Sequence, residues 1–263
     1  MQQTDASEAY STKKSFTEIL SDYAFFIKHS TDMIEDQKQM TLGFRELARG
    51  GGVSSFLDFG AGNGEFCELL FRSSPDMIPK NEILLVEPEP TSLAEATRRL
   101  NTFGTFKVRA SSSLPSDGSI FDVLISNHVM YYVPDLAQTL RDLVEHMSRS
   151  SILVISMGSN DNILIQFWRD HFAMMNLQVP YFLASDLENN LNAAKLGFSV
   201  RRARYALEFA NDISSCRSMG RFLLGKFYHK LQEASVLQWF DRFRDGNWIR
   251  MHPEDNIYFI RRP

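Results

Sequence analysis

The chain has 263 residues, enough for one large α/β domain with insertions. Hydrophobic residues make up 44%, which supports a sizeable core, and a formal net charge of −4 argues against a nucleic-acid-binding surface. Cys67 and Cys216 lie too far apart to form a metal-binding spacing or a disulfide framework, and no apolar run approaches the roughly 20 residues that span a bilayer, so a cytoplasmic protein without a membrane partner is expected.

The polar start, MQQTDASEAYSTKK, lacks the apolar core of a signal peptide and is expected to fray. Apolar residues at helical spacing predict helices over 16–29 and 34–48, the second stopped by RGGG at 49–52. The pattern then alternates. Strands are expected over 53–59, 83–87, 106–109, 121–126 and 151–156. Helices are expected over 65–72, 92–100 and 136–147, with Thr91 or Ser92 capping the second. Apolar runs alternating with helices imply parallel β-α-β units and a sheet covered on both faces. The second half departs from this rhythm, with helices over 163–175 and 186–196, one strand over 196–209, a largely helical and aromatic-rich segment over 213–243, and a closing strand over 256–262.

The stretch FLDFGAGNGEF (56–66) places Gly60, Gly62 and Gly64 between the first strand and the helix after it. Glycine weakens regular structure, so such a cluster marks close approach of a ligand or of another backbone segment. At a strand-to-helix turn the backbone N–H groups and the positive helix end are expected to face that ligand. Asp58 precedes the loop, and the second strand ends in Glu87, where an open α/β sheet places the carboxylate that holds a ribose diol. Dinucleotide enzymes and S-adenosylmethionine (SAM) enzymes share this logic.

DFGAGNG (58–64) resembles the Asp-x-Gly-x-Gly-x-Gly first motif of class I SAM-dependent methyltransferases, and SSSLP (111–115) before FDVLIS (121–126) resembles their adenine-side loop and fourth strand. The resemblance implies a Rossmann-like seven-stranded sheet and puts Asp58, Gly60, Gly62, Gly64, Glu87, Ser111, Ser112 and Asn127 on the cofactor side. It divides the chain into a helical cap over 1–52 that contributes to the substrate pocket, a SAM-binding core over 53–160, and helical lid elements with the closing strands over 161–263.

Within that superfamily the chain is similar to the histamine N-methyltransferase family, from about residue 16 onward. The similarity rests on FFIKHSTD (25–32), VEPEP (86–90), HVMYYVPDLAQTL (128–140), NDISSC (211–216) and NIYFI (256–260). It implies that Asp32 holds the amine-bearing substrate, that His128 contacts it where the family has glutamine, and that Tyr23, Tyr131, Tyr132 and Asn256 (or Asp255) line the acceptor pocket. Aspartate for glutamate and histidine for glutamine imply an amine or imidazole compound other than histamine.

Plainer roles stand beside these. Asp32 lies in STDMIED, good N-capping sequence; adjacent Tyr131 and Tyr132 cannot both face one pocket; Phe167, Trp168, Phe172 and the aromatics of QWFDRF (238–243) have the spacing of core as well as of a lid. Methyl transfer to a nitrogen of a small molecule is expected, with Asp32 or His128 taking or orienting the proton, no metal, and a monomer or weak dimer. Transfer to oxygen or carbon, or SAM binding without catalysis, is the alternative.

Overall fold

The structure is a computed structural model that describes residues 17–47 and 52–262; the polar start, the helix start expected at 16 and the stop over 49–51 lie outside those residues. The chain divides into two compact units. One holds the described residues up to Met33 with Gly158–Phe182 and Arg204–Glu254; the other holds Ile34–Met157, Leu183–Ala203 and the residues from Asp255 onward.

The second unit is built on a seven-stranded sheet. Its strands are β1 (Ser55–Phe59), β2 (Glu82–Val86), β3 (Lys107–Ser111), β4 (Phe121–Asn127), β5 (Met147–Gly158), β6 (Gly197–Arg204) and, at the end of the chain, a strand over Glu254–Arg261. The order is β3-β2-β1-β4-β5, then the terminal strand, then β6. The first five pair in parallel, as their intervening helices require. Phe56, Leu57, Ile83, Leu84, Leu85, Val123, Leu124 and Ile125 are buried, the run expected of strands covered on both faces. The order reverses between β1 and β4, and their carboxyl ends form the crevice where open sheets of this kind bind ligands.

The helices before β6 are α1 (Leu20–His29), α2 (Asp32–Leu47), α3 (Glu65–Ser73), α4 (Pro90–Asn101), α5 (Leu136–Glu145), α6 (Ile163–Met174) and α7 (Ala184–Ala193). Helix α4 begins two residues earlier than the expected cap. Pro90 presets the first helical φ, so Glu89 becomes the cap, its carboxylate accepting from Thr91 N at 3.1 Å and Ser92 N at 2.6 Å. Helix α2 lies close on the terminal strand because Gly43 has no side chain: a Cβ there would come within 2.1 Å of the Phe259 ring. Arg261 donates to the Leu47 carbonyl at 2.6 Å, satisfying one of the open carbonyls at the end of α2. A buried trio on its other side joins Gln37, Thr41 and Ser74, with the two hydroxyl oxygens 2.5 Å apart.

The single strand expected over 196–209 is two, β6 of the second unit and a strand of the first. The ladder breaks at Tyr205 and Ala206, where Thr31 takes the backbone through its hydroxyl and its N–H, and β7 (Leu207–Ala210) continues in a different sheet. The segment 213–243 resolves into α8 (Ile213–Leu224), a 3₁₀ stretch over Gly225–Lys230 and α9 (Glu233–Asp241). A hairpin follows, β8 (Arg244–Asp245) and β9 (Trp248–Met251), turning on Gly246 and Asn247 with Gly246 at φ +59°; it pairs antiparallel with β7. In chain order the terminal strand is therefore β10. The aromatics Phe167, Trp168, Phe172, Trp239 and Phe240 are buried, so they form core and not an open lid. Both indole N–H groups are satisfied, Trp168 on the Leu223 carbonyl and Trp239 on Asp170, each at 2.8 Å.

Candidate active site

The glycine loop leaves β1 at Gly60 and enters α3 at Gly64. All three glycines have positive φ, +79°, +52° and +78°, which L side chains rarely adopt. Their surroundings differ. A Cβ at Gly60 would meet Val129 Cγ2 at 2.2 Å, and one at Gly64 would meet Ala96 Cα at 2.9 Å, whereas one at Gly62 would meet nothing within 4 Å. Gly60 and Gly64 therefore let protein approach protein, and Gly62 alone borders open space.

The expectation that the loop's amides face the ligand is corrected. Gly60 N and Ala61 N donate to the Val86 carbonyl, Gly64 N donates to the Ala61 carbonyl, and Gly62 N donates to Glu87 Oε2 at 3.0 Å. The loop closes on itself and on the end of β2 because buried or half-buried amides need partners. Glu87 Oε1 accepts from Glu89 N at 2.9 Å. Each carboxylate oxygen thus holds one backbone donor and keeps lone-pair capacity for a second. A half-buried carboxylate beside an open glycine face fits a ribose diol.

Asp58 is 3% exposed at the end of β1. Burial, the charge of Glu87 and a bond with the Cys67 thiol act on it, burial most strongly, and its pKa is pushed up to about 7. Burial drives the Cys67 thiol well above its ordinary value, so this cysteine is inert packing. Ser111 is occupied by its own turn, donating to the Ser113 carbonyl at 2.6 Å, while Ser112 is exposed. Glu87 N donates to the Ser111 carbonyl, so the end of β3 is tied to the residue that follows β2. Asn127 ends β4 and accepts from Ser156 Oγ at 2.5 Å.

His128 follows at φ +56°, its N–H on the Ser156 carbonyl. Its Nε2 lies 2.9 Å from Asp36 Oδ2 and 3.6 Å from Asp255 Oδ2. Asp36 is fully buried, Asp255 is 1% exposed and His128 is 27% exposed at the side chain. The ring lies parallel to Tyr131, centroids 6.1 Å apart with 6° between planes. Tyr131 is buried and Tyr132 half-buried, as adjacent positions with opposite faces require. Asn256 donates to the Tyr258 hydroxyl at 2.9 Å, which donates to Glu188 at 2.7 Å.

Asp36 was not anticipated: ligand atoms of Asp36, His128 and Asp255 lie within 4.8 Å of one another. Positions 36, 128 and 255 have no informative spacing in sequence. The available signal was an acid on the buried stripe of α2, shared with Gln37, Met40, Thr41 and Phe44. Asp32 opens the same helix four residues earlier; it is buried, and its N–H bonds Ser30 Oγ at 3.2 Å, so it is a first-turn residue and not the cap. Tyr23 lies on α1 with its ring 5.8 Å from Phe222. Asp32 and Tyr23 belong to the first unit; His128, Tyr131, Tyr132 and Asn256 belong to the second.

Comparison with known proteins agrees with this architecture. The chain is similar to the YcgJ protein of Bacillus subtilis (17% identity, TM-score 0.58, covering 86% of this chain and 99% of that one). It is also similar to a putative methyltransferase of Bacillus halodurans C-125 (14%, 0.57, 85% and 98%). A third similar structure is the plantazolicin methyltransferase BpumL, solved with a triazolic desmethylPZN analog and SAH (13%, 0.57, the whole of both chains). No curated protein matches the chain in sequence. The family described as "Methyltransferase domain" matches residues 52–234, well over half the chain. The protein belongs to the methyltransferase-domain family.

Proposed function

We propose that the protein is a SAM-dependent methyltransferase acting on a nitrogen of a small amine or imidazole-type compound. The observation that carries this reading is a junction of two functions one residue apart. Val129 rests on Gly60 of the glycine loop, while its neighbour His128 is held by Asp36. A donor-binding loop and an oriented imidazole therefore meet at the ends of β1 and β4.

Glu87 takes the ribose hydroxyls, and the open face of Gly62 admits the donor against the backbone. Bound there, SAM supplies an electrophilic sulfonium methyl. Transfer then depends mainly on alignment, since a neutral nitrogen in line with the methyl–sulfur bond needs little further help. An ionised Asp36 only accepts, so His128 Nε2 carries a proton and Nδ1 is the ring's basic nitrogen. It removes the proton that would otherwise occupy the acceptor's lone pair. The family resemblance assigns Asp32 to the acceptor's positive charge and Tyr23, Tyr131, Tyr132 and Asn256 to its walls.

The same Asp36–His128 pair favours a second reading, methylation of a hydroxyl, because a carboxylate-held imidazole is a competent base for an O–H group. A SAM-consumption screen over amines, imidazoles and phenols, with product mass spectra, tests both. Turnover of amines or imidazoles, not phenols, is expected. Turnover confined to phenols transfers the conclusion to oxygen. Asp32→Asn removes the charge at nearly constant volume and should lower kcat/KM on an amine by about ten- to a hundredfold, the loss of one charged hydrogen bond.

A further inference from the structure

We propose that Asp36, His128 and Asp255 form a binding site for a first-row divalent cation of the Zn²⁺ or Mn²⁺ class, and that the bound cation inhibits the enzyme. The donor set is one imidazole and two carboxylates from three separate elements, α2, the turn after β4 and β10, all within one compact unit. Imidazole suits zinc and iron, and carboxylate suits manganese and magnesium, so a mixed set selects the metals that accept both.

Spacing supports a metal over an ammonium group. Ligands about 2.0–2.2 Å from a cation lie roughly 3.0–3.5 Å from one another in tetrahedral or octahedral geometry. The observed separations from Nε2, 2.9 Å and 3.6 Å, lie within 0.1 Å of the two ends of that range. Acceptors around an ammonium nitrogen, each about 2.8 Å away, stand roughly 4.5 Å apart, too wide for these contacts. Burial adds an independent argument. Asp36 is fully buried, one oxygen meets His128, and its Oδ1 has no hydrogen-bond partner among the described residues. A buried carboxylate oxygen without a donor is costly unless a cation completes it.

The inhibitory consequence rests on the function proposed above, whereas the binding does not. A cation on Nε2 replaces the proton shared with Asp36. The neutral ring's one proton, displaced from Nε2, then sits on Nδ1, the nitrogen that has to accept one from the substrate. Binding is reversible and forms no covalent bond.

The test uses the full chain, freed of metal by chelator, titrated with Zn²⁺ and Mn²⁺ in a calorimeter, with Ca²⁺ as control. Wild type should bind one Zn²⁺ and melt at higher temperature with it. Asp36→Asn and Asp255→Asn, which preserve shape, should each weaken binding by about tenfold or more, since ligand-shell changes have effects of that size. Co²⁺ provides a measurement on the wild type alone, an absorption spectrum with nitrogen and oxygen ligands that Zn²⁺ displaces. Wild type that gives neither heat nor a cobalt spectrum overturns the proposal, as does an affinity unchanged in both variants. Binding with unimpaired turnover overturns the inhibitory role and, with it, the assignment of His128 as base; slowed turnover that chelator restores supports both.

Discussion

Three alanine substitutions in one loop separate its donor-binding glycine from its packing glycines. A non-glycine residue in the left-handed region costs about 1–2 kcal/mol, partly offset by roughly 0.4–1 kcal/mol from a restricted unfolded chain. Gly62→Ala adds nothing further, because its Cβ meets no atom within 4 Å. It should lower Tm by no more than about 6 °C at roughly 2–4 °C per kcal/mol. Gly60→Ala also drives a Cβ to 2.2 Å from Val129 Cγ2. Overpacking of that kind adds about 1–3 kcal/mol, for a further fall of roughly 2–12 °C. Gly64→Ala belongs with it, since the atom it meets at 2.9 Å is backbone, Ala96 Cα, and cannot swing away. SAM affinity should behave in reverse. On the proposed reading of the open face, the Gly62 methyl stands in the donor's place and should weaken binding by about 10–100-fold, on the order of 1.4–2.8 kcal/mol. Scanning fluorimetry and calorimetry on the three variants give the comparison. If Gly62→Ala binds SAM like wild type, or melts as early as Gly60→Ala, the assignment of the open face is wrong.

Glu87→Gln should weaken SAM binding by roughly ten- to a hundredfold, the value of a charged hydrogen bond, and should lower Tm as well, because an amide nitrogen would confront Gly62 N–H or Glu89 N–H; a calorimetric Kd equal to wild type contradicts it. Asp58 sets a pH dependence: its pKa rises from 3.8 to about 7 on folding, so the native chain keeps a proton that the unfolded chain has released. Stability should therefore fall as pH rises from about 4 to about 7, by at most roughly 1.4 kcal/mol per pH unit, and level off above. Asp58→Asn should flatten that slope in urea titrations, and parallel curves for the two proteins would count against the buried-acid account. Gly43→Ala, ordinarily a gain of about 1 kcal/mol in a helix, should destabilise instead by about 1–3 kcal/mol, since its Cβ meets the Phe259 ring at 2.1 Å; a raised Tm would show that α2 and β10 have room to separate.

The parallel core was legible because buried strands write themselves as short apolar runs. SFLDF, EILLV and FDVLISN announce β1, β2 and β4 within two residues, and Glu87 follows from its place at the end of β2. The three-stranded sheet was not read, although Gly246-Asn247 between Asp245 and Trp248 is a hairpin signal; the aromatic helices before it drew the pattern toward helix. His128 could be nominated from its position after β4 and from the resemblance. Its partner Asp36 could not, since 92 residues separate the two and only the fold brings them together. The glycines show the opposite limit. Sequence says that Cβ is excluded at 60, 62 and 64, but not whether protein or ligand excludes it.

The strand nearest the chain's end, β10, lies inside the sheet with β5 on one side and β6 on the other. Its register partners in β5 were synthesised about a hundred residues earlier. During translation β5 therefore emerges with a bare hydrogen-bonding edge, and β6 has nowhere to dock until residues 254–261 leave the ribosome. Pairings of such long sequence separation form slowly and leave sticky edges in the meantime. Deleting residues 254–261 would remove an inner stave and not a fringe, leaving β5 and β6 each with an unpaired edge.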